Sequence, residues 1–71
     1  MKIEYFAETD TLSIEFSGKA ASDAIELSEG IVMDVDDQGQ PVGLDIDQAS
    51  KYLDFERLDC IHLPFQIHQA A

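Results

Sequence analysis

Positive charge is scarce in this chain: Lys2, Lys19, Lys51 and Arg57 stand against fifteen Asp and Glu, a formal net charge of -11 at pH 7. A phosphate backbone would be repelled over most of such a surface, which excludes direct nucleic-acid reading and favours a basic protein as partner. Cysteine is scarcer still. Cys60 stands alone and forms no internal disulfide, so a reducing, cytoplasmic setting is expected. No apolar run nears membrane-spanning length, and Met1-Lys2 leads straight into alternating residues. Neither a membrane span nor a signal peptide is therefore expected.

What is present is the composition of a folded domain, 45 % hydrophobic and 27 % charged. Seventy-one residues make one small domain, 1–71, and a chain of this size buries only about 60 % of its unfolded surface. With so thin a core, help from a twin subunit or a partner is expected, and the chain reads as a homo-oligomer.

Two-residue periodicity runs through the first two thirds. Ile3 and Tyr5 alternate with charge, as do Leu12, Ile14 and Phe16, and both sets face one way only if Tyr5 lies opposite Leu12 and Ile3 opposite Ile14. Ser17 to Ser22 is a loop of small residues. Ile25 and Leu27 then match Ile31, Met33 and Val35 across a three-residue turn, Ser28-Glu29-Gly30. Val42, Leu44 and Ile46 match the same strand across an even turn, either Gln38-Gly39 or the four residues Asp37 to Gln40, and both pair Val35 with Val42, Met33 with Leu44 and Ile31 with Ile46. Beyond Asp47, placed to cap a helix, the spacing of Ala49, Tyr52 and Leu53 becomes helical. Ile61, Leu63 and Phe65 alternate again, with Pro64 assigning that segment to an edge. The expected fold is α+β, mostly β: an antiparallel meander of about four strands (2–6, 11–16, 23–27, 31–36) with 41–47 as a further strand. A short helix over 48–58 packs on it, followed by a C-terminal strand over 60–65 and a frayed tail, 66–71.

Three constellations carry candidate chemistry. Asp34-Val-Asp-Asp-Gln-Gly-Gln-Pro-Val-Gly-Leu-Asp45 places Asp34, Asp36 and Asp45 at calcium-loop positions 1, 3 and 12, but Asp45 is shorter than the usual Glu and the flanks are strand-like. The same spacing is the repeat of a strand's outer face, so Asp34, Asp36, Asp45 and Asp47 read first as outward carboxylates and partner-binding candidates. Cys60, His62 and His68 share parity and are soft zinc donors, one short of a closed site. Neither a catalytic pair of unlike carboxylates nor a cofactor motif stands out, and no enzymatic activity is expected.

The order Tyr5, Asp10, Leu12-x-Ile14, Glu29-Gly30, Asp34, Gly39-x-x-Val42-Gly43-Leu44-Asp45-Ile46 and Ala49-Ser50-Lys51 resembles the small bacterial family called domain of unknown function 2283, over roughly residues 1–53. The resemblance implies a compact β-meander with a short helix and carries no activity, catalytic residue or cofactor. Because members are sometimes encoded beside small toxins, it also implies an antitoxin-like role. The expected function is a non-enzymatic acidic interaction module that binds a basic protein. The alternative is a small metal-binding protein using the acidic hairpin or the Cys60/His62/His68 set.

Overall fold

The computed structural model describes residues 1–70, and Ala71, the end of the expected frayed tail, lies outside the described residues. Five strands form: β1 (Lys2–Phe6), β2 (Thr11–Glu15), β3 (Asp23–Ser28), β4 (Ile31–Val35) and β5 (Pro41–Ile46), followed by one helical turn, α1 (Ala49–Tyr52). They make one antiparallel sheet in the order β1-β2-β5-β4-β3. The fold is mostly β with a short helix, as the periodicity indicates. Within it, β3, β4 and β5 follow one another as hairpins, while residues 16–22 carry the chain from β2 to the far edge, so that β2 and β5 become neighbours. Such a return is a Greek-key connection.

Register follows the apolar pattern. Ile3 pairs with Ile14 and Tyr5 with Leu12, Leu12 with Ile46 and Ile14 with Leu44, and Met33 with Leu44 and Ile31 with Ile46. A one-residue slip at any of these ladders would turn an apolar row onto the acidic side.

Two hairpins differ from the expected pairs by a bulge each. Between β4 and β5 the register shifts at Val35, which pairs with Pro41 instead of Val42. The cause is the turn chemistry: Asp36 Oδ1 accepts hydrogen bonds from the backbone N–H groups of Gln38 and Gln40, each 2.9 Å, and the Asp36 N–H donates to the Gln40 carbonyl at 2.9 Å. That carboxylate stretches the loop over Asp36 to Gln40, with Gly39 at φ 77° in the left-handed region that glycine adopts freely. Between β3 and β4 the shift lies between Glu26 and Ser28, so Leu27 is the extra residue and the turn shortens to Glu29-Gly30.

The helix is shorter than the expected 48–58. After Tyr52 the chain is extended at Leu53, and Asp54 Oδ1 accepts from the Glu56 N–H at 3.0 Å. A side-chain bond to the backbone two residues on offers a turn in place of a second helical turn. The expected strand over 60–65 does not form either: residues 60–65 join no ladder. His62 adopts φ 55°, which breaks the extended run, and Pro64 lacks the N–H a ladder needs.

Asp47 does not cap α1. Its carboxylate accepts from Thr11 Oγ1 at 3.0 Å, and Asp10, from the β1–β2 turn, caps the helix instead. Asp10 takes the Ser50 hydroxyl at 2.6 Å, the Ser50 N–H at 3.2 Å and the Tyr5 hydroxyl at 2.7 Å, while its carbonyl accepts from the Ala49 N–H at 2.8 Å. Tyr5, Asp10 and Ser50, scattered along the chain, are one network that ties the helix to the first hairpin. Those bonds from Ser50, and then Tyr5, hold the Asp10 carboxyl below the usual carboxylate range.

Burial is confined to a small centre: Val35, Val42, Ile46 and Ala49 are the buried apolar residues. The Phe55 ring meets Tyr5 edge to face at 5.1 Å, but residues 54–70 are otherwise exposed.

Candidate functional site

Strand alternation gives the sheet two unlike faces. Ile3, Tyr5, Leu12, Ile14, Leu44, Ile46, Ile31, Met33 and Ile25 share one; the other carries the residues between them. There the ladders align Glu4, Ser13 and Asp45 in one row, and Glu15, Gly43 and Asp34 in the next. Glu4, Glu15, Asp34 and Asp45 from four strands thus collect on one side, an arrangement that needs β2 beside β5. With them are Glu26 of β3, which pairs with Val32, and Lys2, which pairs with Glu15 and lies 3.4 Å from Glu4.

Asp34 and Asp45 lie near enough to act on each other. Ser13 Oγ donates to Asp45 Oδ1 at 2.8 Å, which fixes that carboxyl. Burial, then a hydrogen bond and charge repulsion from Asp45, push the Asp34 carboxyl above its usual range. Asp34 therefore holds its proton more readily than an isolated carboxyl would. Gly43 makes room for this pair: a Cβ there would lie 3.0 Å from the Ile14 carbonyl oxygen and 3.3 Å from Asp34 Oδ2. The Asp34 carboxylate lies over the gap that glycine leaves.

The crossing loop walls one side of a shallow, open concavity of about 380 Å³, lined among others by Ser13, Glu15, Gly18, Lys19, Asp34 and Gly43. Lys19 is its cation, and its charge contributes to holding the Asp36 carboxyl low, after the stronger effect of the Gln40 and Gln38 N–H groups. Chemically the face offers a dense set of acceptors for lysine and arginine side chains.

Of the four carboxylates expected to face outward, Asp34 and Asp45 meet, and Asp47 stands at the end of the same face, held by Thr11. Asp36 does not join them because it is spent on the β4–β5 turn. The calcium-loop triad of Asp34, Asp36 and Asp45 is thereby reduced to a pair. Cys60 is exposed, as are His62 and His68, and among the described residues no three His, Cys, Asp or Glu side chains gather to hold a metal ion. Ser13 and Glu15 belong to the face and were not legible as such, since their alternation is visible in sequence but their neighbour β5 is not, and Glu4 joins as the partner of Ser13 on β1.

No helix among the described residues is long and apolar enough to cross a membrane. A family model described as protein of unknown function (DUF2283) matches residues 2–50. Comparison with curated proteins and with solved structures gives no match.

Proposed function

The chain belongs to the DUF2283 family of proteins of unknown function, and from that premise, which assigns no activity, we propose that it is a non-enzymatic interaction module whose acidic sheet face binds a basic protein. The observation that carries this reading is the gathering of Glu4, Glu15, Asp34 and Asp45 from four strands onto one side of the sheet, in a chain of net charge -11. Asp34 supports it as well. A carboxyl pressed against another carboxyl weakens the fold, and a cation arriving at the pair relieves that repulsion.

An antitoxin-like role is the finer form of the same reading, with the face masking the cationic surface by which a partner handles its own anionic target. Electrostatic steering would make association fast at low salt and slower as salt screens the field. The metal-binding alternative has less to stand on, because the Asp34–Asp45 pair supplies two carboxylates where calcium takes about six to eight oxygens.

Affinity capture from a host lysate at low salt, with elution by a salt gradient, tests the proposal. The expected result is a basic protein that elutes with salt and is lost when Glu15, Asp34 and Asp45 are changed together to Gln, Asn and Asn. An acidic partner, or one retained by the neutralised variant, would show that the face is not the binding surface.

A further inference from the structure

The other face of the sheet is unfinished. Ile3 on β1 is 60 % exposed, Ile25 on β3 45 % and Tyr5 45 %, although all three point to the side that holds the core. Phe55 meets Tyr5 edge to face and Val35, Val42 and Ile46 are buried, but the edge-strand residues stay exposed and Leu12, Ile14, Ile31, Met33 and Leu44 only half-buried. We propose that a second copy of this chain covers the apolar face, the two sheets packing face to face as a sandwich with both acidic faces outward.

Surface area supports a second copy as the occupant. An ordinary monomer of 7.9 kDa exposes about 4,400 Å², whereas this chain exposes 5995 Å², about 1,600 Å² more. A standard interface takes only about 800 Å² from each partner. Shared between the apolar face and the exposed residues 54–70, that excess is on the scale a standard dimer interface needs. Dimensions agree: the radius of gyration is 13.1 Å, against about 11 Å for a compact domain of this length.

Charge decides which surfaces meet. The acidic faces repel each other, and the sheet edges are guarded, β1 by Lys2 and Glu4, β3 by Asp23, Glu26 and the bulge at Leu27. Of the sheet's own surfaces, the apolar face is the one complementary to itself, as a two-fold interface must be. Sheets packed about 10 Å apart leave the two acidic faces on opposite outer surfaces. The dimer is consequently bivalent toward whatever those faces bind, but its existence does not depend on that binding.

Light scattering behind gel filtration, at several chain concentrations and at low and high salt, tests the proposal. The expected mass is about twice the 7.9 kDa chain, unchanged or firmer in high salt, because salt screens the repulsion between two anionic subunits. Binding of a basic partner has the opposite salt dependence, so loss of one property leaves the other readable. Ile25→Glu and Ile3→Glu, at positions exposed in the single chain, should each return the mass to that of one chain, whereas Phe6→Ser, on the acidic face, should leave the dimer intact. Melting of the unaltered chain supplies a readout independent of variant folding, since the Tm of a dimer rises with concentration. A single-chain mass with a Tm indifferent to concentration would overturn the proposal, as would a dimer untouched by both Glu substitutions.

Discussion

Replacing Asp34 with asparagine should make the chain more stable at neutral pH, although it removes a half-buried, charged side chain. The amide keeps the shape of the carboxylate and can donate a hydrogen bond to Asp45, where the native pair has two like charges that repel. Unit charges about 4 Å apart interact with roughly 1 kcal/mol in water and roughly 4 kcal/mol at the effective dielectric of a protein surface. Because the pair opens onto solvent, a gain of about 1 kcal/mol is expected, or a rise in Tm of about 4–8 °C for a domain of this size. The dependence on pH has a definite sign. Asp34 has a raised pKa in the fold, so its penalty is fully present above that pKa and is relieved as pH falls through it. Asp10 and Asp36 have lowered values; their contributions are present above the unfolded pKa and are lost as pH falls through the folded one. Parent stability therefore rises as pH drops from neutral through the Asp34 titration, then falls below the ordinary carboxylate range. Thermal melts followed by circular dichroism, at one fixed chain concentration from pH about 7 to about 4, should show the Asp34→Asn advantage at the upper end and its disappearance at the lower. A Tm at neutral pH equal to or below the parent's would refute the reasoning, as would an advantage that persists when the parent's Asp34 is protonated.

Asp10→Ala should lower the Tm at neutral pH by releasing α1 from the first hairpin, and its deficit should narrow as pH falls through the parent's depressed Asp10 titration. Gly43→Ala should destabilise by about 1–3 kcal/mol, the usual cost of overpacking, because the new methyl meets the Ile14 carbonyl oxygen at 3.0 Å; urea unfolding measures it, and an unchanged midpoint would show that the strands part freely there. Ile46→Ala, at the crossing of the Leu12 and Ile31 rows, should cost about 2–4 kcal/mol. That is a large share of the roughly 4–10 kcal/mol a chain of this length commands, so calorimetry should find the variant partly unfolded at moderate temperature.

How much was legible in sequence divides along physical lines. Ile3 with Ile14, Tyr5 with Leu12 and Met33 with Leu44 follow from period-two alternation across short turns, because parity leaves one register that keeps apolar residues together. Val35 with Val42 failed for a local reason: the Asp36 side chain organises a longer loop, and parity arguments assume that no bulge intervenes. The β2–β5 pairing was out of reach, since residues 16–22 connect distant strands and nothing in alternation names a non-sequential neighbour. With it went the composition of the acidic face, for Glu15 and Ser13 join Asp34 and Asp45 only through that pairing. Asp47 was the nearer candidate to cap α1, yet Asp10 does so from forty residues away. The C-terminal alternation of Ile61, Leu63 and Phe65 was real as pattern, but a strand also needs a ladder, and His62 and Pro64 deny it one.

Whether the two faces of the sheet do different work is tested most directly by NMR of the chain titrated with the basic partner recovered by capture. The carboxyl carbon signals of Glu15, Asp34 and Asp45 should shift on addition of partner, while the methyl signals of Ile3, Ile14 and Leu44 stay in place. Movement of those methyls with the carboxyl signals unchanged would contradict the assignment and give the binding role to the apolar face.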